Sequence, residues 1–195
     1  MTHDLRPLSG PPFDRETQAI LDKYYPQRDG EVLSLFRVFA RNPRLLRKLG
    51  AAGLLDDASP LPLRQREIVI LRTTAHHRCE YEWGVHARVF AKAAGLDEAQ
   101  LVATRHGTAE APCWTEQEQA LIRVVDELHD EGKLSEEAHS LFVRHWETEQ
   151  QLEVLALCGF YSTVSFIANT ARLAPEPWAR CFPDAGEAPS ACPCG

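Results

Sequence analysis

The sequence has no uninterrupted apolar run near the roughly 20 residues that span a bilayer. It has no Asn-Gly or Asp-Gly hairpin flanked by alternating apolar residues, and no Cys-x-x-Cys pair. Its first residues, Met1-Thr2-His3-Asp4-Leu5-Arg6-Pro7, lack the apolar core of a signal peptide. It also lacks a basic excess: 21 Lys and Arg stand against 28 Asp and Glu, for a net charge of −7. A nucleic-acid binder needs a basic face to displace counterions, so that class is disfavoured. Together these absences predict a cytoplasmic chain with neither a membrane nor a nucleic-acid partner, built without β-hairpins.

What is present is ordinary globular material. The chain has 195 residues, 44% of them hydrophobic and 25% charged, enough for one large domain with a core. Six cysteines occur, Cys79, Cys113, Cys158, Cys181, Cys192 and Cys194. With no export signal and a sufficient core, they do not read as a disulfide framework. Cys113 and Cys158 read as small hydrophobes. Cys192-Pro193-Cys194 is too small to close a zinc site by itself.

Helix signals run the length of the chain. Val32, Leu35, Phe36 and Phe39 share one helical face. Asn42-Pro43 starts another helix, with Asn as cap and Pro in the first turn. Ser59-Pro60 and Leu61-Pro62 force a loop. A helix is predicted from Leu63 through Thr74, a break at Ala75-His76-His77-Arg78, and a helix from Cys79 to Ala94 stopped by Gly95. Asp97, Thr115 (with Glu118) and Ser135 start three more. Thr148 with Gln151 reads as a capping box before Leu152–Thr170, which is apolar nearly all round and so predicted to be the central, most buried helix. The architecture expected is all-α, about eight or nine helices in a single domain over residues 1–174. A disordered, Pro-rich tail is expected over residues 175–195.

One segment carries chemistry. Cys79, Glu82 and His86 stand at i, i+3 and i+7, within about 60° of one another around a helix. The free amides at a helix start favour a thiolate and lower the pKa of Cys79. Glu67 lies on the apolar face of the preceding helix, where a carboxylate must find a partner. If the two helices fold back on each other, Glu67 reaches His86 or Cys79 and completes an acid/base relay. Adjacent His76 and His77 diverge and make a poor metal set, so no metal is expected. Tyr81 and Trp83 read as packing residues. Arg64, Arg66 and Arg72 read as a solvated helix face from which one arginine can meet an anionic substrate.

The run from Pro62-Leu63-Arg64-Gln65-Arg66-Glu67, through Cys79-Glu80-Tyr81-Glu82-Trp83-Gly84-Val85-His86, to Ala93-Ala94-Gly95-Leu96 resembles the carboxymuconolactone decarboxylase and alkylhydroperoxidase D (AhpD-like) superfamily. The likeness centres on residues 60–100. Gly159-Phe160-Tyr161 and Ala168-Asn169 resemble that family's last long helix. The peroxidase branch of the family has a Glu, a Cys-x-x-Cys dithiol and a His four residues beyond the second Cys. Glu67, Cys79 and His86 match the Glu, the first Cys and the His. Glu82 replaces the second Cys, so a dithiol mechanism is excluded, and a Glu here is closer to the decarboxylase branch.

The resemblance implies an AhpD-like helical fold, a homo-oligomer and catalysis without a cofactor. The first functional expectation is a lyase or isomerase acting on a small carboxylated, lactone-like molecule, with Glu82 and His86 moving protons and Glu67 orienting His86. The second is a thiol peroxidase or reductase using Cys79 alone, with an external thiol reductant. The third is a non-catalytic oligomeric scaffold.

Overall fold

A computed structural model of the chain describes residues 5–28, 30–52, 54–56 and 58–184. Cys192 and Cys194 lie outside the described residues. The described residues form nine α-helices: α1 (Arg15–Tyr24), α2 (Ser34–Phe39), α3 (Pro43–Gly50), α4 (Leu63–His76), α5 (Glu80–Val89), α6 (Glu98–His106), α7 (Glu116–Glu131), α8 (Glu136–His145) and α9 (Thr148–Thr170). The single β-like feature among them is an isolated bridge between Arg28 and Glu31. The all-α expectation holds.

Most helix starts are those the sequence marks. Asn42 accepts from Leu45 N–H at 3.1 Å, with Pro43 in the first turn. Asp97 and Thr115 form reciprocal capping boxes with Gln100 and Glu118. Two starts differ. The box before α9 is one residue earlier than expected, with Glu147 and Gln150 in place of Thr148 and Gln151. The helix α1 carries only a short apolar stripe, yet Asp14 caps it through Glu16 and Thr17 N–H, both at 3.0 Å. The regular part of α5 ends at Val89, and the chain continues to Gly95 in hydrogen-bonded turns such as Ala94 N–H to Phe90 C=O at 2.8 Å.

The central helix is α4, not α9. It packs against α5, α6, α7 and α9, and every residue from Arg66 to Ala75 is buried. By contrast α9 leaves Leu152, Leu155 and Phe166 in solvent, at 62%, 40% and 58% exposure. Its apolar surplus sits on an outer face. By length and composition α9 is apolar enough to cross a membrane; in this fold one side of it packs on α4 and α5.

Burial of Arg66 and Arg72 overturns their reading as part of a solvated face, while Arg64 stays part-exposed. Arg66 donates to the Asp56 carbonyl at 2.7 Å, and Arg72 grips both oxygens of Asp126 at 2.6 and 2.9 Å. Buried guanidinium groups need such partners. The helix ends at a turn in which Arg78 takes φ 52° and Cys79 N–H reaches back to Thr74 C=O at 2.9 Å. That turn folds α5 back along α4.

The packed body extends past residue 174. Residues 175–184 form a strap over α2, α5 and α6. Tyr81 Oη donates to Glu176 at 2.6 Å, and the same carboxylate caps α2 by accepting from Ser34 N–H at 2.8 Å. Arg180 N–H bonds Gly84 C=O at 3.2 Å, and Phe182 N–H bonds Glu80 at 2.8 Å. Prolines exclude helix here, but side chains flanking them satisfy the backbone. Among the described residues, Cys79, Cys113 and Cys158 are free thiols.

Candidate active site

The turn at Arg78 brings Glu67 on α4 against His86 on α5. His86 Nδ1 donates to Glu67 Oε2 at 2.9 Å, and its Nε2 lies 3.4 Å from Glu82 Oε1. The imidazole thus sits between two carboxylates, and all three residues are buried. Burial alone lowers the pKa of His86. The charges and hydrogen bonds of Glu67, then Glu82, outweigh it and raise the value to about 10. At neutral pH the ring is an imidazolium with protons on both nitrogens.

Glu82 and His86 open onto a cavity of about 620 Å³ enclosed by α1–α3, α5, α9 and the strap. Its walls are mainly apolar, including Tyr25, Phe36, Phe39, Phe90 and Trp178. Glu67 is not on the wall; it backs the imidazole from the protein side. Its second oxygen, Oε1, is buried without a partner. Tyr161 of α9 stands edge-on to His86, with ring centroids 5.1 Å apart, and also faces the cavity.

The structure therefore brings together Glu67, Glu82 and His86, and sets Cys79 apart. Cys79 is the N-cap of α5 and fully buried. Burial, aided by the charge of Glu82, pushes its thiol up to about 11, although the Glu82 N–H and the Ser165 hydroxyl pull the other way. This reverses the expectation of a lowered thiol pKa: dehydration outweighs the helix-start amides. The thiol is also off the cavity wall. Cys158 behaves as the small hydrophobe expected, buried with its thiol raised to about 12.

Three cavity residues were not legible as site residues. Tyr161 falls within the family-like Gly159-Phe160-Tyr161 run but carries no spacing signal of its own. Arg28 and Trp178 come from opposite ends of the chain, and only the fold joins them: the Arg28 guanidinium stacks over the Trp178 ring at 4.2 Å.

Residues 42–127 match the Carboxymuconolactone decarboxylase family. Among solved structures, an alkylhydroperoxidase AhpD core, an uncharacterized peroxidase-related protein from Ralstonia eutropha JMP134, superposes with a TM-score of 0.71 at 19% identity, covering 90% of this chain and 94% of that one. A peroxidase-related protein from Silicibacter sp. TM1040 gives 0.69 at 16% identity, covering 90% and 95%. The debrominase Bmp8 gives 0.69 at 13% identity, covering 91% and 95%. No curated protein matches the sequence. The fold and the Glu67–Cys79–His86 spacing define a class, the AhpD-like helical proteins. Within it, residues 42–127 are similar to the carboxymuconolactone decarboxylase family, and the chain as a whole shares the AhpD-like fold.

Proposed function

We propose that this protein is an acid/base enzyme acting on a small carboxylated, lactone-like molecule with an apolar body, and that it needs no cofactor. The observation that carries this reading is the Glu67–His86–Glu82 relay opening on an apolar cavity large enough for a ring-sized ligand. Glu82, on the wall, takes a proton from carbon next to a carbonyl, or returns one. The His86 imidazolium donates Nε2–H to the carbonyl oxygen and stabilises the enolate as charge moves there. Glu67 holds the ring in place and keeps it cationic. Where the substrate carries a carboxylate on the carbon next to that carbonyl, or on its vinylogue, loss of carbon dioxide sends the electron pair of the broken carbon–carbon bond to the same oxygen. The resulting enolate is then protonated on carbon by Glu82 in its acid form.

The fold of a debrominase whose cysteine-to-alanine variant is in complex with 2,3,4-tribromopyrrole also supports a ring-sized organic ligand. A thiol peroxidase reading has less support, because the Cys79 thiol is raised and off the wall.

The test is proton exchange. Unsaturated lactone acids and keto acids are incubated with the protein in deuterium oxide and followed by proton NMR. Wild type is expected to exchange carbon-bound protons, or release carbon dioxide, from some of them. His86→Gln and Glu82→Gln are expected to be slower by about 100-fold or more. Equal rates in wild type and both variants would sink the reading.

A further inference from the structure

Among the described residues, the cavity wall carries one cationic side chain that the relay does not use, Arg28. The arginines near the motif are all engaged: Arg64 with Glu118 at 2.6 Å, Arg66 with the Asp56 carbonyl, Arg72 with Asp126. Arg28 lines the cavity and enters no ion pair among the described residues. Its guanidinium stands over the face of Trp178, at 4.2 Å.

Arg28 is held at both ends. Its backbone closes on Glu31 through two reciprocal N–H to C=O bonds of 3.0 and 2.9 Å. Its guanidinium carbon lies 4.2 Å from the centroid of an indole carried by the strap. Ala179 N–H returns to Glu176 C=O at 2.9 Å, Glu176 is tied to Tyr81 and Ser34, and Arg180 N–H bonds Gly84 C=O. A guanidinium held over an aromatic face spends no N–H hydrogen bond on it, and its forked donors match the two oxygens of a carboxylate. The acids of the same wall are occupied. Glu82 pairs with His86, and Asp56 accepts from Ala58 N–H at 3.0 Å.

We propose that Arg28, positioned by Trp178, binds the carboxylate of the substrate. The cavity then takes a carboxylate with an apolar or ring-shaped body, its acid group at the Arg28 lip and its carbonyl toward His86. This deepens the acid/base reading and rests on it for the direction in which the substrate lies. It makes Arg28 the specificity-determining residue and Trp178 a positioning residue.

The experiment uses a pair of probes of equal shape, cinnamate and its neutral amide, cinnamamide, with binding measured by isothermal titration calorimetry. Wild type is expected to bind cinnamate about tenfold or more tighter than cinnamamide, the worth of one charge-assisted contact. Arg28→Gln is expected to remove that difference by weakening cinnamate alone. Trp178→Leu is expected to weaken cinnamate more than cinnamamide, whereas a mere wall residue would weaken both equally. His86→Gln should keep the preference for the acid. The proposal is overturned if wild type shows no preference or binds neither probe, or if Arg28→Gln leaves the ratio unchanged. A preference that depends on Arg28, found together with no proton exchange on any substrate, would fell the acid/base reading and leave Arg28 as the carboxylate site.

Discussion

Glu82 Oε1 lies 3.4 Å from His86 Nε2, one helical turn away and on the cavity side of the ring, while Glu67 occupies the opposite nitrogen at 2.9 Å. The i, i+4 spacing along α5 makes the first contact local. The second depends on the fold of α5 against α4. The imidazole is consequently charged at neutral pH, and Nε2, which it shares with Glu82, is its nitrogen on the cavity side.

Replacing His86 by Gln should abolish activity, lowering kcat by about 100-fold to 10⁴-fold, because an amide cannot deliver a full proton. Circular dichroism should show the helices intact. Glu67→Gln should lower activity less and shift the pH profile to lower pH, since one of the two charges holding the imidazolium is gone. Wild-type activity and an unchanged profile in His86→Gln would mean that the histidine is purely structural.

Stability should fall in mildly alkaline solution. The pKa of His86 is raised from its ordinary 6.5 to about 10 in the folded chain. Its contribution to stability is therefore fully present below about pH 6.5 and is lost as pH rises through about 10. Thermal melting from pH 6 to 10 should show a decline in Tm that His86→Gln flattens. Parallel curves for wild type and variant would contradict the pairing.

Cys79 should be a slow thiol. With a pKa near 11, about one molecule in ten thousand carries the thiolate at pH 7. Labelling by iodoacetamide in the native protein should be far slower than after unfolding, and Cys79→Ser should retain proton exchange within a few-fold. Peroxide turnover that disappears in Cys79→Ser would instead establish thiol chemistry.

Gly84→Ala should loosen the strap. An added Cβ would lie 2.0 Å from the Arg180 carbonyl oxygen, which is backbone and cannot swing aside. A loss of about 1–3 kcal/mol is expected. Limited proteolysis should cut first near the strap, and cinnamate affinity should drop along with that of Trp178→Leu.

The apolar outer side of α9 should mediate self-association. Leu152 and Phe166 are 62% and 58% exposed on it. Light scattering at micromolar concentration should report more than one chain per particle, and the double substitution Leu152→Glu and Phe166→Glu should yield a monomer. A wild-type monomer under those conditions would count against it.

Much of this fold could be read from one sequence because its helices are locally marked. Asn42, Asp97, Thr115 and Ser135 each cap the helix that follows. The Glu67–His86–Glu82 cluster was legible for a related reason: Glu82 and His86 are tied by helical spacing, and a lone carboxylate among apolar residues at Glu67 had to have a partner. What stayed hidden depends on long-range packing. Whether α4 or α9 is central turns on which face the others cover, and apolar content alone pointed to α9. The rise in the Cys79 pKa follows from complete burial, which outweighs the local amides. The Arg28–Trp178 pair spans 150 positions of sequence, beyond any periodicity. The strap was misjudged because prolines mark the absence of helix, not the absence of structure.

The link from Tyr81 to Glu176, and from Glu176 to Ser34, also orders events during synthesis. A ribosome releases α1–α3 first and the α4–α5 hairpin next, so Glu67, His86 and Glu82 can come together while the rest of the chain is still being made. The pocket in front of it cannot close until Glu176, Trp178 and Arg180 have emerged and returned across more than 90 residues. A nascent chain halted before Glu176 would expose the apolar walls around Phe36 and Phe39 to water. The closing of the chamber therefore waits on the chain's last described segment.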